Sequence, residues 1–467
     1  MNLPMSAIPL LAVAIAILGL RRPPVQAAAI GAGVAGVLFF FRVRPTAGET
    51  MEVMLGAVVL TGSAAAVIVP GLLFVEITRN RGAGAALGDW VRDLPASAGL
   101  KAVLLVVGLA PFLESLTGFG VCLVAVVPAA LALLPRDAGL RVALVGMNVM
   151  PWGTLGLATI VGAQLAAVPV PVLGTATALT SGLVFPAASI LAAVVAGSRS
   201  PGMLVAAGAL GAVFSAALFV MNQSLGVEIA GVFAGLTVVV AVACWFAARG
   251  ALPRRWPTAA WPYLALFGFV LVLRLVLTAW PELTALTIRG GGKTWAPLTT
   301  PGIALALTAA LVAAGQPVRQ PIRAALHRAV KPVGAVGLFL LMSQLMVATG
   351  LVRALASALH GLDGTLALGL VAGLGTLSGY MTGSNIGGNA LLMEPAAALG
   401  DAQGVGLLFA AVQNSAAGHA VLASVPIVAL LASLSDASTA EQSQLLRFGL
   451  AVAIMNAGLI VVAAASL

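Results

Sequence analysis

Long stretches of this chain contain no Asp, Glu, Lys or Arg at all: 53–75, 115–135, 142–198, 200–227, 229–248, 256–273, 294–318, 332–352, 364–393, 402–435 and 448–467. About 20 apolar residues in helical form cross a hydrocarbon core of roughly 30 Å, so each stretch is long enough to span a bilayer. The 142–198 stretch holds two crossings, with Pro169 and Pro171 as the break between them. Further spans fall near 6–20 and 26–41, with a short one at 102–113. The pattern predicts about 12 to 14 helical segments, counting one per span length. Barrel strands would alternate apolar and polar residues over roughly 10 positions, and these stretches do not. The predicted fold is an all-α polytopic membrane protein.

Composition agrees. Of 467 residues 61% are hydrophobic and 8% charged, against roughly 25% charged in a soluble domain. Too little polar surface exists to face water all round, so lipid is the solvent. The net charge of +9 does not mark a nucleic-acid binder. Its basic residues sit between apolar stretches, as at Arg249/Arg254/Arg255 and Arg319/Arg323/Arg328/Lys331, which is how cytoplasmic loops are marked. Arg21/Arg22 and Arg42/Arg44 flank one short span, which leaves the N-terminal orientation open. No basic residue precedes the first apolar stretch, so it reads as a first span rather than a cleavable signal. Cys122 and Cys244 both lie in apolar stretches and suggest neither a disulfide framework nor a metal site.

One ordered pattern stands out among 54 glycines. Residues 108–120 read GLAPFLESLTGFG and residues 373–385 read GLGTLSGYMTGSN; at an offset of 265 they share Gly108/Gly373, Leu109/Leu374, Thr117/Thr382 and Gly118/Gly383. Asn148 follows Gly118 by 30 residues, and Asn414 follows Gly383 by 31. Paired, glycine-interrupted apolar segments in two halves are the best sequence pointer to a transporter binding site. Broken helices offer free N–H groups to anions, and non-helical backbone survives at membrane depth only inside protein or beside a watery cavity. Two re-entrant hairpins are therefore expected, with tips near 117–120 and 382–389 meeting at the bilayer midplane. The chain divides into an N-terminal half (1–220), connecting spans with basic loops (221–372) and a C-terminal part with the second motif (373–467).

At these residues the sequence resembles the bacterial L-lactate permease family. That family has a Glu four residues ahead of a Gly-Phe-Gly, here Glu114 before Gly118-Phe119-Gly120, then an Asn-x-x-Pro with Gly-x-x-Gly, here Asn148, Pro151, Gly153 and Gly156. In its second half it has Thr-Gly-Ser followed by Asn-Ala, here Thr382, Gly383, Ser384, Asn389 and Ala390. The chain departs from the family at Ser115-Leu116-Thr117, where small residues are usual, and at Val121-Cys122-Leu123, where small-Pro-Val is usual. The resemblance implies an ion-transporter-type fold with two inverted repeats, each carrying a re-entrant hairpin, one part moving against a scaffold. It also implies proton symport of lactate, glycolate or a related small organic anion across a bacterial inner membrane.

Candidate site residues follow. Glu114 lies between apolar residues, where an ionised carboxylate is expensive; it is either a proton-coupling group or a carboxyl bonded to a helix end within a rigid hairpin. Arg274, in FGFVLVLRLVLTAW, costs roughly 2.5–3.5 kcal/mol at a helix centre; it is a counter-charge for the anion or snorkels toward Trp280. His419 joins a proton path or bonds a backbone carbonyl. Thr117, Gly118, Gly120, Thr382, Gly383, Ser384, Asn385 and Asn389 supply hydroxyls, amides and free backbone at the tips, suited to a carboxylate and a hydroxyl. Asn148 and Asn414 bond cargo or tie helices together, the commoner use of intramembrane Asn. The remaining acids noted, Glu52, Glu76, Asp363 and Asp401, are expected near span ends within reach of water.

No cofactor, metal or nucleic-acid partner is called for; a small organic anion, the bilayer and a coupling proton are, and oligomerisation stays open. Sodium coupling is the main alternative, since hairpin carbonyls and Asn side chains can hold sodium without an acid. A membrane-embedded hydrolase is the reading from another class. Ser378 and His419 suggest a dyad, but Gly-x-Ser-x-Gly and HExxH are both absent there.

Overall fold

The computed structural model describes residues 3–79, 82–251 and 258–467; Arg254 and Arg255 of the first basic loop lie outside the described residues. The chain is an all-α polytopic membrane protein. Among the described residues ten helices are long and apolar enough to cross a membrane, and twelve if each of two bent pairs is one span. Three shorter apolar helices accompany them, so the expected helical segments are there. The outer surface keeps large apolar side chains exposed, among them Val205, Trp245 and Leu275, as a lipid-facing surface must. Inside, small residues let backbones touch. A methyl group on Gly379 would stand 1.9 Å from the Ala417 carbonyl oxygen, the close approach that membrane helices use in place of a hydrophobic drive.

Ala47–Arg79 and Arg319–Ala348 form the longest antiparallel pair, and they orient the rest. Gln344 lies against Gly56, Gly337 against Thr61, and Arg328 pairs with Glu76. One end of the bundle therefore carries Arg79, Arg319 and Arg323; it is called the basic end here. Glu76 is not open to water as expected. It is buried and pairs with both Arg328 and Arg79.

The first hairpin runs Ala98–Thr117, turns at 118–121, and returns as Cys122–Leu133. Its open end is at the basic end, where Lys101 Nζ donates to the Arg92 carbonyl at 2.5 Å. The second hairpin runs Gly364–Thr382, turns at Gly383–Ser384, and returns as Asn385–Ala402. Its open end lies opposite, since Glu394 on the returning arm reaches Ser343 and Gln344, at the level of Gly56. The two hairpins enter from opposite ends of the bundle.

Both inbound arms stop in the same way. Thr117 and Thr382 donate their hydroxyls to carbonyls four residues back, Leu113 at 2.7 Å and Ser378 at 2.8 Å. Gly118 and Gly383 then turn the chain at φ +71° and +65°, a region nearly free of cost only for glycine. The second tip is narrower than expected. Ser384 caps Asn385–Ala402 through Gly387 N–H, so Asn385 and Asn389 are already helical.

Each tip abuts an interrupted span. Arg136–Val145 and Met150–Leu165 form a pair bent by 52°, with Thr154, Leu155 and Gly156 all at positive φ; Gly118 lies directly against Thr154. Gly406–Ala420 is separated from Val425–Ser435 by the 3₁₀ turn Val421–Ala423 and Ser424. Gly383 lies against Pro426 there, and Gly120 against Ile427 and Leu430. Both tips thus converge on the start of one helix. Pro169 caps Val170–Thr180 after Leu165, which is where the 142–198 stretch was expected to break.

Candidate functional site

Asn414 is the hub of a buried polar cluster joining the two halves. Its amide orientation follows from its neighbours. The Thr159 and Thr177 hydroxyls donate to the Pro151 and Leu173 carbonyls, each at 2.7 Å, so toward Asn414 they can only accept. Asn414 Nδ2 supplies both, at 2.9 and 3.0 Å. Its Oδ1 then faces the second hairpin, where it accepts from Asn385 Nδ2 at 3.1 Å and Asn389 Nδ2 at 2.8 Å. Asn389 Nδ2 also donates to the Ala158 carbonyl at 2.9 Å. Beside them Gln413 Nε2 donates to Ser378 Oγ and the Gly388 carbonyl, both at 3.3 Å.

This chain of obligations leaves three amide oxygens, on Asn385, Asn389 and Gln413, buried without a donor. An unsatisfied buried polar group costs about 1–3 kcal/mol. The cluster is therefore short of donors; a hydroxyl would satisfy one of these oxygens, and a cation would also suit them. A carboxylate would not, because it brings only acceptors.

A second polar group continues toward the basic end. Ser415 Oγ meets Thr180 Oγ1 at 2.7 Å and receives Ser181 Oγ at 2.9 Å. His419 Nε2 lies 3.0 Å from Ser181 Oγ, with its ring edge on Phe185. Asn456 Nδ2 donates to Asn148 Oδ1 at 2.8 Å and to the His419 carbonyl at 3.4 Å. Asn148 and His419 are thereby tied to Thr439–Ala465. Asn148 lies in the bend after Val145 whereas Asn414 is mid-helix, so their matched spacing does not make them equivalent.

Glu114 is held by its own hairpin. Oε1 accepts Gly120 N–H at 2.9 Å and Oε2 accepts Cys122 N–H at 3.4 Å, so the carboxylate spans the turn and caps the returning helix at its positive end. This is the helix-end arrangement, one of the two expected from sequence. Glu114 thus fills that helix N-terminus. Thr117 is buried beside it, and the Gly118 and Gly120 backbone is packed against Thr154 and Leu430.

Arg274 is not part of the cluster. It lies on Trp261–Ala279 beside Glu228; a methyl on Gly226 would sit 3.0 Å from Arg274 Nη2 and 2.7 Å from Glu228 Oε2. Its neighbouring charge comes from the protein. Ser378 donates to the Gly375 carbonyl at 2.7 Å, and His419 is bonded to Ser181 instead.

Sequence reading missed Thr159, Thr177, Ser181, Gln413, Ser415 and Asn456, which complete the network. Hydroxyls in apolar helices usually bond their own backbone, so composition alone gave no reason to select these. It also missed Glu394 and Lys293. Glu394 borders the charge-free 364–393 stretch and was a legible signal; Lys293 was not, since it comes from a short β-hairpin, Ile288–Gly290 with Lys293–Trp295.

No protein-family model matches the chain, and no curated protein matches it. Fold and cluster together define a polytopic helical membrane protein with two opposed hairpins.

Proposed function

We propose that the protein is a secondary active transporter of a small organic anion, a 2-hydroxymonocarboxylate of the lactate or glycolate type, moved with a proton across a bacterial inner membrane. The observation that carries this reading is the meeting of two opposed hairpins at two interrupted spans, around a buried amide cluster that lacks donors. Interrupted helices at membrane depth belong to translocation paths. The cargo hydroxyl supplies the donor that the amide oxygens of Asn385, Asn389 and Gln413 want. By the positive-inside rule the basic end is cytoplasmic, so the second hairpin opens outward.

The same three oxygens favour a second reading. Neutral amide oxygens without donors suit a sodium ion, which would make the carrier sodium-coupled. Uptake into proteoliposomes of radiolabelled lactate, glycolate and non-hydroxylated propionate, with imposed pH or sodium gradients, tests both. Saturable uptake driven by a pH gradient, with propionate poorly carried, is expected. Dependence on sodium alone selects the second reading, and no saturable uptake of any carboxylate ends both.

A further inference from the structure

Resting on that reading, we infer that the Lys293–Glu394 pair is where proton and cargo carboxylate are exchanged: Glu394 takes the proton, and Lys293 then pairs with the anion.

The amide cluster offers a carboxylate nothing, and the first hairpin's helix end is already filled by Glu114. A positive group reachable from one face is needed. Lys293 Nζ lies 3.3 Å from Glu394 Oε1, the side chains being 18% and 7% exposed. Glu394 Oε2 accepts from Ser343 Oγ at 2.5 Å and Oε1 from Gln344 Nε2 at 3.1 Å. Glu394 shares its helix with Asn385 and Asn389; five residues from Asn389 is about 7.5 Å along the axis. The site therefore lies outward of the cluster, on the side of that helix that faces Arg319–Ala348, with its lysine partly open.

The pair also links three separate elements. Glu394 rides on the second hairpin, whereas Ser343 and Gln344 sit on Arg319–Ala348. Lys293 comes from the β-hairpin whose Gly291 turn is pressed against Glu52 and Gly56 of Ala47–Arg79. Among the described residues no other charge is bonded to Glu394. Met150–Leu165 bears none, Gly364–Thr382 adds only Tyr380, and Gly406–Ala420 adds only His419, which is bonded to Ser181. Arg353, Asp401, Arg289 and Glu52 on neighbouring elements are exposed. His327, Arg328 and Lys331 lie toward the far end of their helix, where Arg328 holds Glu76.

Charge balance makes the exchange obligatory. Removing one partner of a buried ion pair is strongly unfavourable. A proton alone would strand the ammonium, and an anion alone would leave two carboxylates sharing one ammonium. Together, a proton from water goes onto a Glu394 carboxylate oxygen, its bond to Lys293 breaks, and the ammonium re-forms a bond to the cargo carboxylate. No net charge is added to the site. Proton and anion thus enter one for one.

The test is proton uptake by purified protein in weakly buffered detergent with a pH-indicator dye, on addition of lactate, alongside proteoliposome flux. Wild type should take up about one proton per bound anion, with affinity falling about tenfold per pH unit on the alkaline side. Glu394→Gln, which keeps an oxygen for Ser343, should take up none, lose accumulation driven by the pH gradient and retain lactate exchange. Lys293→Gln should weaken lactate binding tenfold or more. The double variant strands no charge and so guards against misfolding; it should bind weakly and without pH dependence. If Glu394→Gln still takes up a proton with the anion, or the double variant keeps wild-type affinity and pH dependence, the inference is overturned while the transporter reading stands. If wild type carries no carboxylate, both fall.

Discussion

Replacing Asn414 should weaken the joint between the two halves by a calculable amount. Its side chain makes four interhelical bonds, two donated to Thr159 and Thr177 and two accepted from Asn385 and Asn389. Polar bonds between membrane helices average about 0.6 kcal/mol and reach about 1.7. Asn389 keeps the Ala158 carbonyl as a partner, but Asn385 Nδ2 is stranded, a loss of about 1–3 kcal/mol. The sum for Asn414→Ala is roughly 3–5 kcal/mol, at the averaged values of these bonds. Asn414→Leu is near-isosteric, so it should lose a similar amount without opening a cavity. Reversible unfolding in mixed micelles by a graded denaturing detergent, read by tryptophan fluorescence, measures both. A double cycle with Asn389→Ala should show coupling of at least about 0.5 kcal/mol. Both single variants within about 0.5 kcal/mol of wild type, the usual range for inconsequential sites, would refute the network logic and with it the assigned amide directions.

Glu114→Gln turns an N–H toward one of two backbone N–H groups, at about 1–3 kcal/mol; it should lower the unfolding midpoint and reduce exchange and gradient-driven uptake together. Exchange preserved with uptake lost would assign a coupling role to Glu114. Gly118→Ala places a methyl group 1.7 Å from Thr154 Oγ1 at φ +71° and should abolish monodisperse protein in size-exclusion chromatography, whereas Gly373→Ala meets open space and should be neutral or stabilising by up to about 1 kcal/mol. Arg274→Gln removes the charge beside Glu228, so the thermal midpoint should fall while KM for the carried anion is unchanged; a large rise in KM would return Arg274 to the cargo site.

Strain collects where the first tip meets its interrupted span. Phe119, Thr154 and Leu155 all sit at positive φ, each of order 1–3 kcal/mol above an ordinary conformation. Such strain persists because packing on every side fixes it, and it lies where the fold brings its discontinuities together.

Apolar stretches, their punctuation by charge and the paired Thr-Gly turns were legible in the chain because each depends on local physics. Lipid demands about 20 apolar residues per span, and an αL turn demands glycine. From these came the all-α polytopic class, the break at Pro169 and both hairpins. Which polar groups meet was not legible. Asn414 is oriented by Thr159 and Thr177, more than 230 residues away along the chain, and Glu394 pairs with a lysine delivered by a β-hairpin. Likewise Glu114 and Arg274 carry charge in sequence, but only their neighbours decided that one caps a helix and the other lies beside Glu228. A hydrogen bond depends on position to within a fraction of an ångström, and that precision arises only when distant helices pack.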